Sequence, residues 1–134
     1  SHEVAFPWVL PAVFSGCMSV AVLNLNNLRD HVSDATAGKR TMVVRLGFMG
    51  GKRYHLVVLA LGWGALFLFF QGPWEIGPWR GTMWYALIAL VHARHAVDVW
   101  RCDDPASLDP ELKRIALSSF LVALFMFMDQ TLGA

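Results

Sequence analysis

Four long apolar blocks constrain this chain more than any other feature. They cover residues 4–23, 54–70, 83–100 and 112–132, each set off by a polar or Gly/Pro-rich stretch. About 20 mainly apolar residues in a helix cross the hydrocarbon core of a bilayer. The expected fold is therefore all-α: an integral membrane bundle of four transmembrane helices, over about residues 4–27, 54–72, 82–100 and 112–132. Composition agrees, with only 16% charged residues against about 25% in a soluble domain. A formal net charge of +1 gives no reason to expect a nucleic-acid partner. Cys17 and Cys102 are too few for a disulfide framework and read as free thiols.

The intervening stretches carry the orientation. Residues 28–53 hold Arg29, Lys39, Arg40, Arg45, Lys52 and Arg53, and residues 101–114 hold Arg101, Lys113 and Arg114. Residues 71–82 hold Arg80 alone, among the turn-forming Gly72-Pro73, Gly77-Pro78 and Gly81. Basic linkers stay on the cytoplasmic side, so the first and third are expected inside. Trp8, Trp74, Trp79 and Trp84 then fall near the outer ends of the spans, and Tyr54 and Trp100 near the inner ends, as an aromatic belt requires. Asp109-Pro110-Glu111 reads as a helix start. The opening Ser1-His2-Glu3 has no initiating Met, which suggests a piece of a longer protein.

Chemistry concentrates where the first span meets the cytoplasm. Asp30 and Asp34 are spaced i, i+4, so a continuous helix puts both carboxylates on one face, with Asn27 beside them and Asn26 close by. Two such carboxylates repel each other, and a cation between them removes that cost. Oxygen ligands from one or two carboxylates suit Mg²⁺, which then bridges to substrate phosphates. Gly38 can end the helix, after which Lys39 and Arg40 supply donors for phosphate oxygens. The bland alternative is a solvated acidic pair at a helix end.

Other polar residues have weaker claims. His92, Arg94, His95 and Asp98 fall in the inner half of the third span. Either Arg94 and Asp98 pair at i, i+4 and the group is structural, or the group lines a cavity. His31 points away from the Asp30/Asp34 face. His55, Lys52 and Arg53 read as interface anchors. Asp103-Asp104 reads as solvated or as a helix-ending turn. Gly62-Trp63-Gly64 suggests close helix packing.

The run Asn26-Asn27-Leu28-Arg29-Asp30-x-x-x-Asp34-x-x-x-Gly38-Lys39-Arg40-Thr41-x-x-Val44-Arg45-Leu46-Gly47 resembles the second aspartate-rich motif of the UbiA superfamily of intramembrane prenyltransferases. Its two ends resemble the branch that acts on 1,4-dihydroxy-2-naphthoate. Leu10-Pro11-Ala12 and Arg53-Tyr54-His55 extend the similarity. The resemblance implies the C-terminal part, residues 1–134, of one UbiA-type membrane domain with nine helices. The N-terminal half of that enzyme would supply the first aspartate-rich motif. It also implies that Asp30 and Asp34 hold Mg²⁺ on polyprenyl diphosphate, and that Lys39, Arg40, Arg29 and Arg45 bind the diphosphate. Asn26 and Asn27 would orient the carboxylates or the acceptor, and the apolar spans would wall the isoprenoid tail among membrane lipid. The expected reaction is prenylation of 1,4-dihydroxy-2-naphthoate with loss of carbon dioxide, at the cytoplasmic side of a bacterial plasma membrane. Another aromatic acceptor (4-hydroxybenzoate or homogentisate) and a non-enzymatic four-helix subunit are the competing expectations.

Overall fold

The computed structural model describes residues 8–72 and 82–132. Its elements, in order, are α1 (Val9–Thr36), α2 (Met42–Gln71), α3 (Thr82–Arg101), a 3-10 turn (Pro105–Leu108) and α4 (Asp109–Leu132). α1 packs along α2 and against α4, and α3 packs against α4 and α2, so the helices close a ring. Residues before 8 and the segment 73–81, with Trp74, Trp79 and Arg80, lie outside the described residues.

The helices run further than the apolar blocks. α1 continues past the last apolar stretch to Thr36, and α2 begins at Met42 instead of 54, so the polar linker expected over 28–53 shrinks to residues 37–41. Most of the polar residues there belong to the two helices, not to a loop. α1 stops at a glycine: Gly38 has φ 74, and its N–H bonds Ala35 O while the Lys39 N–H bonds Asp34 O at 2.9 Å. This pair of bonds satisfies two carbonyls left over at the helix end. Three residues on, the Thr41 hydroxyl accepts from the Val44 N–H and caps α2. The axis of α2 then breaks at Gly47, with φ 75 and ψ 166, so its first turn is a separate short arm.

α1 and α2 approach closely at two glycines. A Cβ on Gly62 would lie 2.8 Å from Met18 Cε, and one on Gly51 would lie 2.9 Å from both Leu28 Cδ2 and Val43 Cγ2. Gly64 has nothing within 4 Å, so the close packing expected of Gly62-Trp63-Gly64 belongs to Gly62 alone.

Around an apolar core that includes Phe14, Leu25, Leu66 and Ile115, burial departs from that of a soluble bundle. Leu61, Phe67, Met83, Leu90, Leu117 and Phe120 face outward, each more than 60% exposed. His55, His92, His95, Lys52, Glu111 and Ser118 are buried inside. A hydrocarbon solvent produces this pattern, because it solvates leucine well and imidazole badly. Among the described residues, α1 and α2 are long and apolar enough by themselves to cross a membrane. The four expected helices all form, yet α3 is diluted by His92, Arg94, His95 and Asp98, and α4 carries Asp109, Glu111, Lys113 and Arg114 at its start.

Those polar groups meet one another. Tyr85 Oη donates to Asp129 Oδ2 at 2.9 Å, His92 Nε2 lies 2.6 Å from Ser118 Oγ, and His95 Nδ1 lies 2.6 Å from Glu111 Oε2. The three contacts are rungs between α3 and α4. α2 joins through Trp63, whose indole N–H donates to His92 Nδ1 at 3.0 Å, and through His55 Nε2, 2.9 Å from His95 Nε2. Because an indole nitrogen only donates, His92 Nδ1 is an acceptor and its proton sits on Nε2, directed at Ser118.

Candidate functional site

The site is assembled at the end of α1. Helix continuity through Thr36 puts Asn27, Asp30 and Asp34 on one face, as their spacing requires. Asp34 is 7% exposed. The turn at Gly38 folds Lys39 back over it: the Lys39 amide bonds the Asp34 carbonyl, and Lys39 Nζ bonds Asp34 Oδ1 at 2.8 Å. That carboxylate raises the pKa of Lys39 above the ordinary lysine value, mainly through the side-chain hydrogen bond. Asp30 is held by its neighbour in sequence. Arg29 Nε reaches Asp30 Oδ1 at 2.7 Å and Nη2 reaches Oδ2 at 2.9 Å, while Nη1 crosses to Asp109 Oδ1 at 2.8 Å.

The expected cations therefore divide. Arg29 and Lys39 sit on the two carboxylates, whereas Arg40 and Arg45 are exposed, on the 37–41 linker and the short arm of α2 respectively. Asn26 and Asn27 are half-buried on α1. Two carboxylates with half-buried amides next to them form an oxygen donor set of the kind Mg²⁺ takes when substrate phosphates and water complete its shell. Among the described residues no group of three or more His, Cys, Asp or Glu is arranged to hold a metal unaided. A cation here would thus rest on Asp30, Asp34 and its ligand's own oxygens.

A second layer lies behind this face. His31 points off it, as expected, and stacks on Phe48 with ring centroids 4.9 Å apart. Lys52 Nζ sits 4.8 Å from the same Phe48 ring and donates to Trp100 O at 3.1 Å. Lys52 and His55 are 2% and 0% exposed, so they are not the interface anchors their position suggested. Lys52 instead satisfies a carbonyl at the end of α3, and His55 ties α2 to α3. Arg53 is exposed, as an anchor should be. On α3, His92 and His95 form rungs, His92 also lines an open apolar pocket between α2 and α3, and the exposed Arg94 pairs with Asp98 at 3.0 Å, as their spacing suggested. Asp104 caps the 3-10 turn by accepting from the Ala106 N–H, while Asp103 is exposed.

Asn24, Ser118, Asp109 and Glu111 also take part in these contacts, and the sequence marked none of them as contact residues. Asn24 Nδ2 donates to Gly51 O at 3.0 Å and holds α1 on α2. For Asp109 and Glu111 the sequence carried a signal, their place at a helix start, and that signal concerned the helix and not their partners; for Asp109 the partner is 80 residues away.

A sequence profile described as the UbiA prenyltransferase family matches residues 1–120. The chain is similar to 1,4-dihydroxy-2-naphthoate octaprenyltransferase of Haemophilus influenzae, 34% identical over 133 residues, which cover 99% of this chain and 42% of that protein. It is also similar to 1,4-dihydroxy-2-naphthoate octaprenyltransferase of Escherichia coli, 35% identical over 139 residues, with 97% of this chain and 42% of that protein covered. The chain thus spans well under half the length of these relatives. No solved structure matches it.

Proposed function

Because the chain belongs to the UbiA prenyltransferase family, we propose that it supplies the second aspartate-rich half of a site that moves a polyprenyl group from polyprenyl diphosphate to 1,4-dihydroxy-2-naphthoate. The observation that carries this reading is the Asp30/Asp34 face, with a cation seated on each carboxylate, in a chain so similar to two naphthoate octaprenyltransferases. Asp30 and Asp34 would hold Mg²⁺, whose positive charge favours departure of diphosphate. Lys39 and Arg29 lie close enough to exchange a carboxylate oxygen for a phosphate oxygen, and Arg40 and Arg45 add positive charge around them. These groups stabilise negative charge developing on the leaving oxygen as the allylic C–O bond breaks. Asn26 and Asn27 would orient the carboxylates or the acceptor. The electron-rich naphthoate ring forms the new C–C bond, and the ring carboxyl leaves as carbon dioxide, on the way to menaquinone. The spans would sit in a bacterial plasma membrane with the 37–41 and 102–108 linkers cytoplasmic. The N-terminal half of the same enzyme would complete the site.

The test is radiolabelled prenyl transfer in membranes holding the complete enzyme, with naphthoate, 4-hydroxybenzoate and homogentisate acceptors compared. Asp30→Asn and Asp34→Asn keep shape and lose charge. Each is expected to lower the rate by about a hundredfold or more, the scale of a lost electrostatic contact in a transition state. Near-normal rates in both variants would place the site on other carboxylates. A preference for 4-hydroxybenzoate would refute the naphthoate assignment.

A further inference from the structure

Arg29 bridges two carboxylates, and only one of them belongs to the aspartate motif. Its Nε and Nη2 clasp Asp30, and its Nη1 reaches Asp109 at the start of α4. Asp109 is not placed there by accident of a loose loop. Leu108, 1% exposed, is a buried peg in the hydrophobic core, and the 3-10 turn that carries it packs against α1. Asp104 secures that turn: its carboxylate accepts from the Ala106 N–H, and its carbonyl accepts from the Ser107 N–H and hydroxyl. The path from α3 to α4 is thus an ordered element that delivers Asp109 to Arg29.

The arrangement has a chemical consequence. A guanidinium has five N–H donors in a fixed plane. When the oxygens of Asp30 turn to a metal, Arg29 loses two of its three hydrogen bonds. Without another acceptor its long side chain would be released to solvent and would have to be ordered again on every substrate. With Nη1 held by Asp109, the released edge, Nε and Nη2, stays where Asp30 was, facing the position a metal-bound diphosphate would take. A fork of this kind suits phosphate oxygens.

Resting on the diphosphate-site reading above, we infer that Asp109 is a further residue of that site, a positioning carboxylate that keeps Arg29 turned toward the substrate when Asp30 is engaged elsewhere. The Asp109 side chain is 63% exposed, so the contact contributes little to stability. Its effect is on the freedom of Arg29.

The experiment measures binding of inorganic pyrophosphate with Mg²⁺ to the purified complete enzyme by calorimetry, beside KM and kcat for prenyl diphosphate. Asp109→Ala is expected to weaken pyrophosphate binding and raise KM by about five- to tenfold, the scale of coupling between contacting charged groups, with kcat changed by less than about twofold. Asp109→Glu should recover most of the loss, and the exposed Asp103→Ala should bind like the parent. In an Arg29→Gln background, Asp109→Ala should add nothing, because it acts through that arginine. Full pyrophosphate affinity in Asp109→Ala, or an equal loss with and without Arg29, would overturn the inference. Asp30→Ala is the control for the underlying reading. If it loses binding while Asp109→Ala does not, only the tether falls; if it too binds normally, the site itself is wrong.

Discussion

Glu111 offers the clearest test of how the helices are held. It is 7% exposed, and each of its oxygens has a partner: Oε2 meets His95 Nδ1 at 2.6 Å and Oε1 meets Arg114 Nη1 at 2.7 Å. The two contacts differ in value. Arg114 is half-exposed and also reaches Asp98 at 2.8 Å, so losing Glu111 costs it about 0–1 kcal/mol. His95 is fully buried, and a buried donor left without its acceptor costs about 1–3 kcal/mol. Glu111→Ala should therefore destabilise the bundle by about 2–3 kcal/mol. Glu111→Gln keeps an oxygen for His95 but turns an amide NH2 toward Arg114, which still has Asp98, so it should cost about 1 kcal/mol. The assay is thermal unfolding of the detergent-purified complete enzyme, with Mg²⁺–pyrophosphate binding as a second readout. Binding should be unchanged at low temperature, because Glu111 lies in the rungs and not on the aspartate face. Equal stability of the Ala and Gln variants would mean that His95 does not depend on this acceptor, and the reasoning would fail.

Gly38→Ala forces a side chain into φ 74 and should cost about 1 kcal/mol, with weaker pyrophosphate binding as Lys39 shifts off Asp34; unchanged calorimetry and unfolding would refute the role given to that turn. Gly51→Ala pushes a methyl against Leu28 and Val43 and should cost about 1–3 kcal/mol in thermal unfolding, whereas Gly64→Ala, which meets open space, should be neutral or slightly stabilising. For topology, Asp103→Cys in a protein whose Cys17 and Cys102 are serine should react with an impermeant maleimide only after the cells are permeabilised. Labelling of intact cells would reverse the orientation.

The helix count was legible because membrane helices announce themselves as apolar blocks, and Gly38 was legible as a residue that a left-handed stop favours. The true bounds of α1 and α2 were not. Residues 28–36 and 42–53 are polar enough to pass for a loop, and only the hydrogen bonds at Gly38 and Thr41 reduce the gap to five residues, 37–41. Lys52 and His55 illustrate the other limit. A lysine and a histidine next to Arg53 and Tyr54 have the composition of an interface, and the partners that bury them, Trp100 O and His95, are supplied by α3. Spacing along α2 carries no trace of them. The same holds for Arg29 and Asp109, whose contact depends on how a 3-10 turn packs against α1.

The polar contacts sort by distance along the chain, and the sorting bears on function. The rungs join residues far apart: His55 to His95, Trp63 to His92, Tyr85 to Asp129. The first is buried and the other two are part-buried, so breaking one strands a donor or acceptor at least partly away from water. The contacts of the two motif carboxylates are local, Arg29 with Asp30 and Lys39 with Asp34, and their cations are 32% and 64% exposed. Water can take over a cation that leaves, and Asp30, 42% exposed, then loses little, whereas Asp34, 10% exposed, needs another cation in place of Lys39. In the proposed reaction these pairs must exchange partners, since a metal would compete with Arg29 and Lys39 for the carboxylates, and a diphosphate would compete with the carboxylates for Arg29 and Lys39. A bundle fastened by long-range rungs can let its short-range ion pairs open and close on each turnover without loosening the helices. Asp109 is the exception that fits this division, a long-range contact at the site, exposed enough to exchange and anchored well enough by Leu108 to hold one end of Arg29 in place.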